Sequence, residues 1–395
     1  MFCCVLWKRG PHGLWVFAQV EKSGSASPLD RAPEDPFILN RFSEVAVALS
    51  GGVDSSLAAA ILKRSGWRVH GVHFLLPAPP RVADQRIGRV REIGGHLGIP
   101  VEVVDVREEF DRLIIKPFVQ TYLKGFTPSP CVSCNPLIKF AYLRGYTLKN
   151  SIPCLATGHY VRSGRGEGEE RSGLWMGRDH RKDQSYFLHR LSQDLLSMAL
   201  FPLGDMTKDE VRRLARDMAI PSHSSPESQE ICFISGTDYR GFIEQQTGVK
   251  ARKRGTIVNR DGRVIGEHSG VHGFTIGQRH GLGIASSRPY YVMEIRPEAN
   301  QLVVGRREEL YSLSVNAEDF NWIGDMPLGG EIRAHARIRY RHRPGSGLLK
   351  VLSPGKVRFT FDTPQWAVTP GQALVCYRRD RVVGGGWIRK QDGKE

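Results

Sequence analysis

Regular patterning begins at Ser43, where Glu44-Val-Ala-Val-Ala-Leu49 forms a short apolar run before a glycine-rich turn. A run of that length bounded by turn residues predicts a buried strand. Ser55 to Ser65 is small and apolar, and predicts a helix packed against a sheet. The rhythm then repeats. Strands are expected over Trp67 to Leu75, Val101 to Val106 and Cys154 to Tyr160, and helices over Gln85 to Leu97 and Phe110 to Leu123. Such alternation predicts a parallel sheet covered on both faces, with ligands at the carboxyl ends of its strands. Thr207-Lys-Asp-Glu210 fits a capping box opening a helix to about Met218, closed by Ile220-Pro221.

From about Gly255 the pattern turns to β. Thr256 to Ile265 reads as a hairpin around Asp261-Gly262. Strands follow at Tyr290 to Ile295, Gln301 to Val304, Ile332 to Tyr340, Val357 to Phe361 and Ala373 to Tyr377. Even spacing with Gly and Pro between them suggests a small barrel or sandwich. Gly277 to Gly283 and Gly384 to Gly386 read as glycine-rich β turns, and residues 23–36 as a linker rich in Ser, Pro and charge.

Length and charge narrow the class. At 395 residues the chain is long enough for two or three domains and a core that needs no disulfides. The excess of Lys and Arg over Asp and Glu gives a net charge of +15, which favours a polyanionic partner. Charge alone does not separate RNA, DNA and anionic membrane. Seven cysteines, an odd number, point to reduced thiols in the cytoplasm. No apolar run approaches the roughly 18 residues that span a bilayer. The opening MFCCVLWKRG lacks the charged start of a secretory signal.

Ser50-Gly51-Gly52-Val53-Asp54-Ser55-Ser56 joins the first strand to its helix. Glycines there let backbone N–H groups turn toward an anion at a helix N-terminus. The lysine that usually closes a nucleotide loop is missing, and Asp54 stands nearby in a position to hold Mg²⁺. A tight turn with a Ser helix cap is the plainer alternative. Cys131-Val-Ser-Cys134 lies in a proline-flanked segment, read as a stiffened loop, and Cys232 follows far along the chain. These thiols are open to several readings: nucleophiles, an iron–sulfur site, a structural or redox CxxC, or, for Cys232, a core thiol. Arg333, His335, Arg337, Arg339, Arg341 and Arg343 share one parity, so on a strand they would face one side, toward RNA or toward solvent.

SGGVDSS resembles the PP-loop of enzymes that split ATP between its α and β phosphates. Thr127 to Phe140, Ala156-Thr-Gly-His-Tyr160, Lys182 to Phe187, Ser228 to Phe233, Phe274 to Arg279 with Gly281-Leu-Gly283, and Val368 to Gln372 follow in order. Together they resemble the tRNA-specific 2-thiouridylase family over nearly all of residues 43–390. Residues 1–42 have no counterpart in it.

The resemblance implies an α/β fold: a PP-loop parallel-sheet domain, adenine nucleotide alpha hydrolase-like, over 43–205. A mainly helical tRNA-binding central domain over 206–290 and a C-terminal β-barrel over 291–395 would follow. It implies ATP-dependent replacement of O2 by sulfur in the wobble uridine of tRNAs for Lys, Glu and Gln, by a monomer. Cys134 matches the nucleophile and Cys232 the persulfide carrier. Ser50, Gly51, Gly52, Val53, Asp54, Ser55, Ser56 and Leu57 match the ATP loop, with Phe74 and Gly158 at further nucleotide contacts. His159, Lys182, Asp183, Gln184, Arg339, Tyr340 and Gln372 match tRNA contacts, and Ser129, Pro130 and Cys131 the segment facing the target base.

Much of the family has Asp where this chain has Cys131. A thiol there resembles the three-cysteine subset, which leaves open a [4Fe–4S] cluster on Cys131, Cys134 and Cys232. Partners would be the tRNA anticodon stem-loop and a sulfur donor. The rival readings are an amide-forming PP-loop synthetase and a non-catalytic tRNA-binding protein. Either sulfur scheme expects all the thiols at one nucleotide cleft.

Overall fold

The computed structural model describes residues 5–9, 15–19, 44–165, 169–223, 231–234, 238–248, 253–327 and 330–390. The linker read at 23–36 and residues 228–230 lie outside them. The chain divides into two compact units. One comprises Met1–Val106, Pro136–Ser185 and Leu191–Glu227, the other Arg107–Asn135, Tyr186–Arg190 and Ser228–Glu395.

The first unit begins with the antiparallel pair β1 (Val5–Arg9) and β2 (Trp15–Gln19). Its centre is a five-stranded sheet built from β3 (Glu44–Ala48), β4 (Arg68–Leu75), β5 (Val101–Asp105), β6 (Cys154–Ala156) and β9 (Ala199–Leu200). The order is β5-β4-β3-β6-β9 and every pairing is parallel, as the alternation of strands and helices predicts. Val45, Val47, Leu57, Leu62, Val90 and Ile93 form its core with the helices Val53–Arg64 and Pro80–Leu97. The second helix starts five residues earlier than expected, because Pro80 suits the first turn, where no N–H is needed. The expected strand from Cys154 ends at Ala156, and a hairpin of β7 (Val161–Gly164) and β8 (Gly173–Met176) follows.

The second unit holds a helical segment over 107–123, a π turn interrupting it at Asp111–Ile115. A mixed four-stranded sheet comes next, made of β10 (Gly255–Val258), β11 (Val264–His268), β12 (Tyr291–Arg296) and β13 (Gln301–Gly305). Its order is β11-β10-β13-β12, with β10 and β13 parallel. The hairpin expected around Asp261-Gly262 is β10–β11. Residues 206–290, expected as a mainly helical domain, hold the helices Lys208–Asp217 and Tyr239–Thr247 and the short β10 and β11, whose sheet β12 and β13 complete past residue 290.

Six strands then close a barrel: β14 (Tyr311–Trp322), β15 (Glu331–Arg337), β16 (Gly345–Ser353), β17 (Lys356–Trp366), β18 (Ala373–Arg378) and β19 (Arg381–Ile388). The order runs β14-β17-β16-β15-β18-β19, and β14 pairs with β19 to complete the ring. Val315, Ala336, Leu349, Phe359, Leu374 and Ile388 fill it. Gly384 to Gly386, read as a turn, lie inside β19. A Cβ there would stand 2.3 Å from the Asn321 carbonyl oxygen at Gly384 and 2.5 Å from that of Glu318 at Gly386. Close strand approach, rather than turning, requires these glycines.

Candidate nucleotide and sulfur sites

β3 and β6 mark the point where the order of the parallel sheet reverses, and the Ser50–Ser56 loop leaves the carboxyl end of β3 there. Such a crevice is where open α/β sheets bind ligands. Gly51 takes φ +81°, and its missing Cβ leaves room for the Arg89 and Val90 side chains at 3.3–3.4 Å. Ser55 Oγ accepts from the Ser50 N–H at 3.1 Å and donates to the Gly52 carbonyl at 3.1 Å, while Ser56 Oγ donates to the same carbonyl at 2.9 Å. Gly52 caps the helix Val53–Arg64 with no side-chain bond. The alternative of a serine cap is therefore not realised, and the first-turn N–H groups stay directed at the loop.

Asp54 extends this cradle. Its Oδ1 receives the Tyr160 hydroxyl at 2.7 Å and the Lys208 ammonium at 2.6 Å, and Lys208 also lies over the Tyr160 ring. The Lys208 side chain is only 7% exposed and that of Asp54 35%. The Asp54 carboxylate is a third exposed, which suits Mg²⁺, a cation that prefers carboxylate and water oxygens. Gly158, in the turn after β6, presses on this loop: a Cβ there would stand 2.7 Å from the Asp54 carbonyl carbon and from Ser55 N. Phe74, half-buried, is the penultimate residue of β4.

Lys208 and Tyr160 were not singled out from the sequence. Lys208 is the first residue of the helix Lys208–Asp217, behind the Thr207 cap, whose capping box with Glu210 forms as expected. A cation at that end opposes the helix dipole, and this is the signal the sequence carried.

In the second unit, Pro130 starts a helical turn, Pro130–Cys134, that runs directly into a π-helical turn at Asn135–Phe140. Cys131 and Cys134 therefore sit on a helix, not in the expected loop, since proline is as well suited to a first helical turn as to a stiff loop. Cys131 is exposed and Cys134 buried. Asn135 is 2% exposed and donates through Nδ2 to the Phe187 carbonyl at 3.2 Å.

The approach to this turn is fastened to the barrel. The Thr127 N–H donates to the Pro370 carbonyl at 3.0 Å. Gln372 Nε2 donates to the carbonyls of Thr127 and Pro128 at 3.0 and 3.2 Å. Gly371, at φ +90°, has the Thr127 carbonyl oxygen 2.9 Å from where its Cβ would be. Cys232 is exposed, and its neighbour Phe233 packs edge-on against Phe110 and Phe118 of the 107–123 segment. The turn carrying Cys131 and Cys134 packs on that same segment. Among the described residues no group of three His, Cys, Asp or Glu is arranged to hold a metal. The three thiols are not gathered as cluster ligands, and none of the described cysteines is in a disulfide.

The residues matched to tRNA contacts divide. His159 is 9% exposed, shares a hydrogen bond with Thr157 Oγ1 at 2.7 Å and stacks on Phe140; burial holds its pKa well below the usual 6.5. Asp183 is 1% exposed and accepts from the Gly177 and Ser185 N–H groups and the Ser185 hydroxyl. Gln184 accepts from the Tyr160 N–H at 2.9 Å. All three organise the first unit internally, and Lys182 is half-buried beside them.

Tyr340 lies 4.3 Å from the Phe187 ring, and Arg339, half-buried, donates to the Trp366 carbonyl. Ser129 and Pro130 are half-buried. The one-sided arginine row does not form, because β15 ends at Arg337. Arg337 is 7% exposed against the Tyr377 ring, and Arg333 makes a two-pronged pair with Asp362 at 2.7 and 2.8 Å.

A parallel sheet with a glycine-rich anion loop at its switch point, followed by two β structures, defines a nucleotide-using α/β enzyme with accessory β domains. Family models match as a tRNA methyl transferase HUP domain over residues 43–236, a tRNA methyl transferase PRC-barrel domain over 240–306 and an aminomethyltransferase beta-barrel domain over 312–388. The tRNA-specific 2-thiouridylase of Carboxydothermus hydrogenoformans is 42% identical over 88% of this chain and 98% of its own. That of Moorella thermoacetica is 43% identical over 87% and 98%. The chain belongs to the tRNA-specific 2-thiouridylase family, a family of sulfurtransferases. A solved 4-thiouridine synthetase–RNA complex with bound ATP covers 52% of the chain and 50% of its own, at 15% identity and a TM-score of 0.33, too distant to bear on the site. Among the described residues no helix is long and apolar enough to cross a membrane.

Proposed function

We propose that the protein uses ATP to adenylate O2 of the wobble uridine, position 34, in tRNAs for Lys, Glu and Gln, and then replaces that oxygen with sulfur in the cytoplasm. The uracil C2 carbonyl is a poor electrophile because both ring nitrogens donate into it. Joining its oxygen to AMP turns it into a leaving group. Loop N–H groups and the Ser50 and Ser55 hydroxyls bind the departing pyrophosphate, whose charge they meet without reorganising. Asp54 would hold Mg²⁺ through Oδ2 to screen that charge. Lys208 fixes the carboxylate from its other oxygen and supplies the cation that the loop sequence lacks.

Sulfur arrives as a persulfide on Cys232, supplied by a persulfide-bearing donor protein. Its terminal sulfur attacks C2 and expels AMP. The Cys134 thiolate then attacks the Cys232 sulfur, which frees the thiolated base and leaves a Cys134–Cys232 disulfide. An anticodon loop lets the base leave its stack cheaply, and the basic chain would engage the surrounding phosphates.

The observation that carries this reading is the Asp54–Lys208–Tyr160 set beside an uncapped helix start, in a chain that also presents the fastened CxxC turn. The test is thiolation of tRNA with MgATP and a persulfide donor. Cys134→Ser should form AMP but no 2-thiouridine. AMP formation stimulated by small acids rather than tRNA would instead favour an amide-forming synthetase. Thiolation that requires stoichiometric iron and sulfide after anaerobic purification would overturn the persulfide route.

A further inference from the structure

Cys134 must become a disulfide partner once per turnover, yet its side chain is buried. A thiol from solution reaches such a sulfur slowly, because exchange needs access along the S–S axis. Cys131 stands one helical turn earlier and is exposed. Residues three apart on a helix have Cβ atoms about 5–6 Å apart, and a disulfide needs about 3.5–4.5 Å. The shortfall is small, and this turn has the slack to close it. No side chain caps it at Ser129, and it runs into a π turn rather than a regular helix. The residues before it are held by Gln372 and Pro370, so closure would be confined to 130–134.

We propose that Cys131 is the resolving thiol of the cycle, an assignment that rests on the persulfide reading above. After the thiolated base departs, the Cys131 thiolate attacks the Cys134 sulfur of the Cys134–Cys232 disulfide. The Cys131–Cys134 bond forms, the Cys134–Cys232 bond breaks, and the electron pair leaves on Cys232. That residue is now a thiolate, ready to be charged again. The oxidising equivalent, which entered as the sulfane sulfur of the persulfide, now resides in a CxxC disulfide with an exposed sulfur at Cys131. An external dithiol attacks that sulfur, releases the Cys134 thiolate, and leaves as its own disulfide. The exchange moves oxidation off the segment that must be reloaded and onto one that carries no persulfide, where an exposed sulfur at Cys131 stays open to reductant. Tethering three residues away is what makes it fast, since effective concentrations of oriented groups far exceed those of cellular thiols.

The test uses the full-length protein charged with persulfide and allowed one turnover with tRNA and MgATP, without reductant. Alkylation, digestion and mass mapping then locate the disulfide. The wild type should carry Cys131–Cys134, with Cys232 alkylated. In Cys131→Ser and Cys131→Ala the bond should stay at Cys134–Cys232, and with a dithiol present the ratio of second- to first-turnover rate should fall at least tenfold.

A wild type that retains Cys134–Cys232 with Cys131 alkylated overturns the proposal, as does an unchanged turnover ratio in both variants. If the charged wild type forms no 2-thiouridine, the persulfide reading itself has failed. A folded Cys131→Ser protein that thiolates no base even once would place Cys131 in the transfer step instead, and also overturns it.

Discussion

The backbone of the loop Ser50–Ser56 is tied by bonds that span five residues or fewer, and only its Asp54 side chain reaches far, to Tyr160 and Lys208. The turn carrying Cys131 and Cys134 depends on partners 245 residues away at Gln372 and 52 away at Phe187. The two regions solve different problems. An anion loop needs many convergent N–H groups, which a contiguous glycine-rich turn supplies by itself. A reacting thiol needs one sulfur atom held in one place, and rigid distant elements do that best. Local construction makes the first site sensitive to backbone fit, and long-range construction makes the second sensitive to single fastenings.

The largest effect should come from Gly158→Ala. The added Cβ would meet the Asp54 and Ser55 backbone at 2.7 Å, with only rigid atoms to displace. ATP affinity, followed by titration, should fall at least a hundredfold. The alkylation rates of Cys131 and Cys232 should hardly move, since they belong to the other unit. Equal loss in both readouts would break the comparison.

Asp54→Ala comes next. It leaves the buried Lys208 ammonium without its carboxylate, and because the Asp54 side is a third exposed the loss should be about 1–2 kcal/mol, less than for a fully buried pair. Denaturant unfolding should show that loss, while Lys208→Met, which leaves a partly solvated carboxylate, should cost less.

Acid should weaken both units. His189, fully buried, has its pKa lowered from 6.5 to about 3 by burial, and His342 to about 4. Burial lowers His159 and His73 in the first unit as well. Above pH 6.5 all four are neutral in both states. Below it the unfolded chain binds protons that the folded one refuses, so stability is lost as pH falls from 6.5 toward the folded values. His189 alone contributes roughly 2 kcal/mol of that loss by pH 5. Asp205, raised by burial, works in the opposite direction. A thermal midpoint that stays flat between pH 7 and 5 would contradict this.

These differences also explain what could be read from residue order. Four strands of the parallel sheet, the anion loop, the β10–β11 hairpin and the capping box all follow from patterns within a few residues. The short β7, β8 and β9 did not, nor did β14, β16 and β19. Gly345 and Gly347 in β16, and Gly384 to Gly386 in β19, look like turn residues until partner strands are close enough to exclude side chains. The arginine row failed for a related reason: parity holds only while a strand lasts, and β15 stops at Arg337. Gln372 resembles a ligand contact in sequence, and its fastening role is visible only once β18 lies beside Thr127. His159 and Asp183 stand in recognisable motifs, but burial turns them inward.

Gln372→Ala should loosen the thiol turn with little effect on nucleotide binding. Two hydrogen bonds to carbonyls are lost, each contributing about 1 kcal/mol. Thiolation per bound tRNA should fall about tenfold, with the Km for ATP within twofold of wild type. A parallel rise in that Km would mean that the fastening serves both regions.

The smallest effect tests the reverse direction. Thr207 caps the helix that begins with Lys208, and Glu210 returns the bond to the Thr207 N–H at 2.7 Å. Thr207→Ala should cost about 1 kcal/mol of stability. It should also weaken ATP binding severalfold, because the first turn that aims the Lys208 ammonium at Asp54 would fray. Thiol reactivity should stay constant. The Thr207 N–H, the Arg178 guanidinium and the Thr207 hydroxyl together hold the Glu210 carboxyl below its usual range despite partial burial, so Glu210→Gln should reproduce the stability loss at neutral pH. Its cost should shrink as pH falls through the native value and the wild type loses the same charge. A Thr207→Ala protein with unaltered ATP affinity would show that Asp54 and Tyr160 alone place the lysine, and that the nucleotide site is even more locally determined than its loop suggests.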